Sequence, residues 1–261
     1  MKRLVIGLTI VCAIVASCNN QPKEQINPID VELVVTSDTV YQGLNDCQFT
    51  DPGCTFAIFI YPTIVSGPYE EELRAELNKG FYASFGEDAE PFKDRAAMVD
   101  AFFNRYNQTK ADFPDMAGNW YIVRESKVKR VNQRYISMSH TSNEFMGGAH
   151  PAYFTVYRNF DLSQGRWIKL EDVFNNPKDP GLTALVDSAV RAARGIAPDV
   201  SLKELGMFEE TIKPTGNFEI RPKGIHFFYN SYDIAPYSMG YSQAIIPFES
   251  LTQYLRTDFN N

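Results

Sequence analysis

Residues 146–174, MGGAHPAYFTVYRNFDLSQGRWIKLEDVF, hold dense local instruction. Ala152 to Asp161 is a strand, Ser163-Gln164-Gly165 is a hairpin turn, and Arg166 to Lys169 returns. Glu171-Asp172-Val173-Phe174 then forms a short helical turn. Upstream, Trp120-Tyr121-Ile122-Val123 begins a strand that Val128 to Val131 extends. Asn132-Gln133 turns the chain into Arg134 to Thr141, where Ile136, Met138 and His140 alternate with Tyr135, Ser137 and Ser139. The whole reads as an antiparallel meander. Downstream, Pro180 opens a helix through Arg194 that Gly195 closes, with Leu182, Leu185, Val186, Ala189 and Ala193 on its inner face. Phe218 to Arg221, the Pro222-Lys223-Gly224 turn and Ile225 to Asn230 make a hairpin. Tyr241 to Pro247 is one more strand, and Phe248 to Leu255 a closing helix.

The N-terminal half follows a different order. Ile29 to Val35 is a half-buried strand with apolar residues at alternate positions. Phe56 to Val65 (FAIFIYPTIV) is apolar enough for a central strand buried on both faces, with Pro62 at a bulge or strand end. The next helix is expected to hold Pro68 in its first turn, with Glu70, Glu71 and Glu72 at its positive end and Leu73, Leu77 and Phe81 as its stripe. A second starts near Pro91 and aligns Phe92, Ala96, Val99, Phe103 and Tyr106, after a break at Gly86-Glu87-Asp88. Helices and strands come in blocks. That predicts an α+β fold with mixed or antiparallel sheets, helices packed on one face, and two α/β subdomains.

The first residues predict the compartment. Lys2 and Arg3 precede a thirteen-residue apolar run, Leu4 to Ala16, which is too short to span a bilayer of ~30 Å. It ends in Val15-Ala16-Ser17-Cys18, which resembles a bacterial lipobox. In that family of signals the chain is cut before a lipid-modified cysteine. Residues 1–17 are then a signal peptide, Cys18 carries the lipid and residues 18–28 form a polar tether. The expected location is the bacterial cell envelope, facing the periplasm or the surface, with the outer membrane favoured. Cleavage leaves Cys47 and Cys54, and an even pair in an exported chain around Asp51-Pro52-Gly53 argues for a disulfide. The formal charge of −7 becomes −9 after cleavage, with 23 basic against 32 acidic residues. Such a chain is poorly suited to nucleic acid and better suited to a cationic partner.

Motifs for chemistry are sparse. The chain has no G-x-S-x-G, P-loop, G-x-G-x-x-G, H-E-x-x-H or paired C-x-x-C, and only three histidines, His140, His150 and His226. No cofactor, metal or catalytic residue is predicted. Gly147 and Gly148 can take positive φ, and Pro151 biases His150 toward extended backbone, so the loop could present the imidazole to a ligand. The alternative is a tight bulge whose ring is satisfied by a backbone carbonyl or a carboxylate. The second cluster, Tyr229 to Gly240 (YNSYDIAPYSMG), offers Tyr232, Asp233 and Tyr237 in a recognition-type loop. Asp233 paired with His150 would make an orienting dyad, but without a nucleophile at defined spacing.

Taken together, GGAHP (147–151), N-F-D-L-x-x-G-x-x-I-x-L-x-D-V-F (159–174) and G-I-x-F-x-Y-x-x-Y-x-I-A-P-Y (224–237) resemble one family. It comprises the extracellular domain of RsiV-type anti-sigma factors and the non-catalytic N-terminal region of PdaC-type peptidoglycan deacetylases. The resemblance implies an RsiV-like domain over 141–258 and a PdaC-type accessory domain over 29–140. It also implies an α+β fold and, in the RsiV branch, binding of lysozyme, a cationic protein. This sequence shows neither a transmembrane helix with a sigma-binding segment nor a deacetylase domain, so those activities are not carried over. The expected function is a lipid-anchored binding module for a lysozyme-like protein or a cell-wall glycan such as peptidoglycan. Its rivals are an envelope glycan or ester hydrolase and a structural or assembly lipoprotein.

Overall fold

The computed structural model describes residues 27–85, 90–115 and 119–259. The expected signal peptide, Cys18, the tether up to residue 26 and the Gly86-Glu87-Asp88 break lie outside them. Among the described residues no helix is long and apolar enough to cross a membrane.

A six-stranded sheet runs in chain order: β1 (Val34–Gly43), β2 (Phe56–Ser66), β3 (Tyr121–Arg130), β4 (Tyr135–Phe145), β5 (Ala152–Asp161) and β6 (Arg166–Ile168). Only the β2–β3 pair is parallel. A parallel pair needs a crossover, and α1 (Glu70–Phe81) and α2 (Arg95–Asp112) supply it on one face. α1 starts at Glu70 after Tyr69 at φ +51°, so Pro68 lies before the helix and not in its first turn; it buries the expected Leu73, Leu77 and Phe81. α2 starts later than Pro91, capped by the Asp94 carboxylate, which accepts from the Ala97 amide at 2.8 Å. It buries Met98, Val99 and Phe102. Ala96 is exposed, because the larger Met98 and Phe102 fill the space over the sheet.

Two strand expectations need correction. Pro28–Asp30 is a short 3-10 turn, started by Pro28 and the Asn27 side chain, so β1 begins only at Val34. It then runs to Gly43 because β2 supplies a partner over its whole length. β2 is central, but only its helix-side residues, among them Ala57, Phe59 and Ile64, are fully buried, and Val65 is exposed. Pro62 lies past Ile60, the last residue paired with β3, so its missing N–H falls where β2 has one neighbour. Cys47 and Cys54 form a disulfide across the β1–β2 connection.

After α3 (Leu170–Val173) come α4 (Pro180–Arg194), a second sheet of β7 (Phe218–Arg221), β8 (Gly224–Tyr229) and β9 (Ser242–Pro247), and α5 (Phe248–Leu251). α4 has the predicted ends: the Asp179 carboxylate accepts from the Gly181 and Leu182 amides, and Gly195 takes φ +68°. Its buried face uses Val190 where Ala193 was expected, and Ala193 is exposed. α5 stops at Leu251, short of the expected Leu255, which instead bridges to Phe174.

The small sheet is held between α4 and the large sheet, so every residue of β8 is buried. Phe218, Ile220, Ile225, Phe227 and Ile246 pack with Leu182, Val186 and Val190 of α4. The other face meets β4 and β5 through asparagines. Asn159 Oδ1 accepts from the Ser137 hydroxyl and the Ile220 amide, and its Nδ2 donates to the Phe218 carbonyl. β5 is paired with β6 only over Asn159–Asp161, which leaves the backbone before it open on that side. There Asn230 Oδ1 accepts from the Thr155 amide at 2.7 Å and Asn217 Oδ1 from the Tyr157 amide at 2.8 Å. Side-chain amides thus finish an edge that a strand leaves open. The division expected at 140/141 falls inside β4, and Tyr135 of that strand belongs to the core under α4. The molecule is α+β, with helices on one face of each sheet.

Candidate functional site

The predicted loops meet at one end of the molecule. Gly147 and Gly148 take φ +85° and +98°, as a chain leaving β4 and reversing into β5 requires. A Cβ on Gly147 would come within 3.3 Å of Trp120 Nε1, so the first glycine also permits close packing. The turn exposes His150, whose ring stacks face to face on Tyr237, centroids 3.5 Å apart and planes 11° apart. His150 Nδ1 faces the Pro151 carbonyl at 3.0 Å, an acceptor, so that nitrogen donates. Nε2 is then the acceptor for the Tyr232 hydroxyl at 3.4 Å. Tyr232 is 58% exposed and holds φ +73°, a strained backbone for a bulky residue.

Asp233 does not join this group. Its carboxylate accepts from the Asn230 amide at 2.7 Å and lines a separate cavity of about 490 Å³ with Tyr229 and Lys213. The reason is local: three residues after Asn230, an aspartate closes the tight turn that holds Tyr232. The His150–Asp233 dyad is therefore absent, and among the described contacts no serine, threonine or cysteine bonds to His150. Among the described residues no cluster of three or more His, Cys, Asp or Glu could hold a metal ion. The arrangement offers ring faces and edges for contact.

The sequence reading missed how far the aromatic surface extends. Burial raises the Tyr121 hydroxyl above its ordinary pKa, and the neighbouring Tyr237 adds to the shift, which ties the two together. From Tyr121 a row of rings crosses the sheet face opposite α1 and α2. Phe145 lies 6.3 Å from Tyr121 on one side, and Phe56 lies 5.9 Å away on the other. Phe56 is followed by Tyr41 at 6.0 Å and the exposed Phe49 at 6.2 Å. Beside the loop, Tyr153 and Tyr241 are 5.8 Å apart, and Tyr241 stacks on Phe228. The available signal was the aromatic share at positions 41, 56, 121 and 145. Strand pairing alone made them neighbours: Phe56 opposite Tyr121, and Tyr121 opposite Phe145.

Buried under the small sheet is a second polar cluster. The Glu219 carboxylate meets Lys129 at 2.9 Å, Arg221 at 2.6 Å and His226 Nδ1 at 3.4 Å. His226 Nε2 contacts Gln243 Oε1 at 2.9 Å. Glu219 and His226 are buried while Lys129 and Gln243 reach the surface, and the cluster joins β3 to β7, β8 and β9.

Solved structures share this architecture. A DUF3298 family member from Bacteroides fragilis superimposes with a TM-score of 0.69 at 23% identity, covering 87% of this chain and 95% of its own. A DUF3298 family protein from Pseudomonas aeruginosa gives 0.63 at 18% identity, covering 88% of this chain and 98% of its own. At these identities the likeness concerns the fold alone. No curated protein matches the sequence. Residues 171–249, from α3 into α5, match the DUF3298 model, described as a protein of unknown function and associated with the RsiV and PdaC proteins named above.

Proposed function

We propose that this protein is a non-catalytic, lipid-anchored module of the bacterial cell envelope that binds a cell-wall glycan across the aromatic surface around His150, Tyr232 and Tyr237. The observation carrying the reading is the exposed His150–Tyr237 stack beside a strained Tyr232 and at the end of the Tyr41–Phe56–Tyr121 row. Aromatic faces are negative and edges positive, so they suit the C–H faces of sugar rings, while tyrosine hydroxyls supply hydrogen bonds. Such rings lose little side-chain entropy on binding. The anchor is proposed from Cys18, and Cys18→Ser should move the protein from the membrane to the soluble fraction.

The test is titration of residues 19–261 with purified muropeptides. Binding is expected, and Tyr237→Ala or His150→Ala should weaken it at least tenfold, about 1.4 kcal/mol, with the melting temperature held. No binding at about 100 µM, roughly −5.5 kcal/mol, overturns the reading. A second reading, a cationic protein partner of the lysozyme kind, is favoured by the acidic balance of 32 to 25 charged residues. Parallel titration with lysozyme separates the two, since binding led by net charge falls steeply as salt rises.

A further inference from the structure

On the opposite face of the large sheet, α1 covers β2 to β4 only as far as Phe81. Beyond its last turn lies an open cavity of about 660 Å³, in the range of small-molecule sites. Its walls are mainly apolar, with Phe81, Ala83, Phe85, Phe154 and Val156 prominent. Phe154 is 51% exposed at the mouth, on the face of β5 opposite Tyr153.

Most of the charged lining is ion-paired, Lys79 being the exception among the described contacts. Three acidic residues (Glu76, Glu125, Glu144) balance three basic ones (Lys79, Arg124, Arg158). Buried Arg124 meets Glu144 at 2.9 Å through Nε, and its Nη1 donates to the Phe81 and Ala83 carbonyls. Arg158 pairs with Glu76 at 2.8 Å, and Glu125 with Lys127 at 2.9 Å. A charged ligand would find most of these groups already paired and would lose its hydration.

One lining group is incomplete. His140, 9% exposed, bonds through Nδ1 to the buried Ser126 hydroxyl at 2.8 Å, while its Nε2 has no partner. The ring lies against Gly80 of α1, where a Cβ would stand 2.4 Å from Nε2. Glycine near a helix end here makes room for an imidazole. Burial pushes the His140 pKa down to about 4, which leaves the ring neutral at pH 7 and a poor base for the adjoining serine.

We propose that this cavity binds an uncharged, mainly apolar small molecule, such as a medium-chain alcohol, whose hydroxyl or carbonyl meets the His140–Ser126 pair. The site is separate from the aromatic surface and does not depend on its reading. The test loads the protein with the neutral dye Nile red and displaces it with 1-decanol, n-decane or decanoate. Decanol should displace the dye at least tenfold more effectively than decanoate. Ala152→Trp, at the rim, should reduce loading and displacement together, with its melting temperature recorded. Ile245→Ala, an exposed apolar residue of the small sheet, should leave both unchanged. His140→Phe should abolish the preference for decanol over decane. The proposal is overturned if decanoate competes equally in the wild-type protein, if decanol fails to displace the dye, or if Ile245→Ala lowers loading as much as Ala152→Trp does. A decanol preference that persists in His140→Phe removes His140 as the polar contact. The wild-type comparison needs no variant to fold.

Discussion

Asn159 is 2% exposed and uses both ends of its amide, holding Ser137 beside it and the Phe218 and Ile220 backbone across the sheets. Asn159→Leu leaves the Ile220 amide and the Phe218 carbonyl without their Asn159 partner, while Ser137 keeps the Ile220 carbonyl; at 1–3 kcal/mol for each unsatisfied group, a loss of roughly 2–4 kcal/mol is expected in urea unfolding. A loss below about 1 kcal/mol would mean the sheets are joined mainly by apolar contact. Two other residues set pH dependence. His140 is held neutral, with a folded pKa of about 4 against 6.5. Its contribution is complete above pH 6.5 and is lost as pH falls toward 4, on the order of 3 kcal/mol. In Glu219 burial alone raises the pKa, but hydrogen bonds from His226, Lys129 and Arg221 overturn this and bring it to about 2, against 4.5. Its contribution is present above pH 4.5 and lost between 4.5 and 2. The unfolding midpoint of His140→Phe should therefore fall less than wild type between pH 6.5 and 4. Glu219→Gln should instead flatten the limb below 4.5. Parallel curves for wild type and variant in either window refute that assignment.

At the scale of elements, an end was legible where a cap and a breaker wrote it locally. α4 shows this best, with Asp179, Pro180 and Gly195 all in their predicted places. Asp179→Ala should cost about 1 kcal/mol. The disulfide is a second local device. It closes the eight residues from Cys47 to Cys54 between β1 and β2, which in the chain-entropy account stabilises by roughly 2.5 kcal/mol. Reduction should lower the unfolding midpoint accordingly, and an unchanged midpoint under strong reductant would contradict that account. The clip also fixes the connection that carries Phe49, the exposed end of the aromatic row. α2 was read less well, because four or five apolar residues per two turns admit several stripes. Contact with β2 and β3 selected Met98, Val99 and Phe102.

Across the whole molecule, β4 serves both halves. Ile136 and Met138 face the α1 side, while Tyr135 and Ser137 face the small sheet. Tyr135 also donates to the Phe259 carbonyl at 3.0 Å, so the chain end closes on the middle strand. One cooperative transition follows, with tryptophan fluorescence, which reports Trp120 and Trp167, coinciding with far-ultraviolet circular dichroism. A fragment starting at residue 141 loses Tyr135 and Ser137 and should show no cooperative melt. Separate transitions, or a fragment that melts cooperatively, would support the division at 140/141.

The sequence by itself determined the fold class, the meander from β3 to β6, the stripe of α1, the ends of α4, the disulfide and the loops that present His150, Tyr232 and Tyr237. These rest on interactions within a few residues: caps, turn glycines and alternation. Only the tertiary structure decided which rings form a row. It also decided that His140, Arg124 and Glu144 line a cavity. A polar break in an otherwise apolar alternation on β4, with His140, Ser142 and Glu144 following Ile136 and Met138, was the one legible trace of that cavity. Strand register and helix crossover bring together residues tens of positions apart, and no local pattern encodes which partners they will meet.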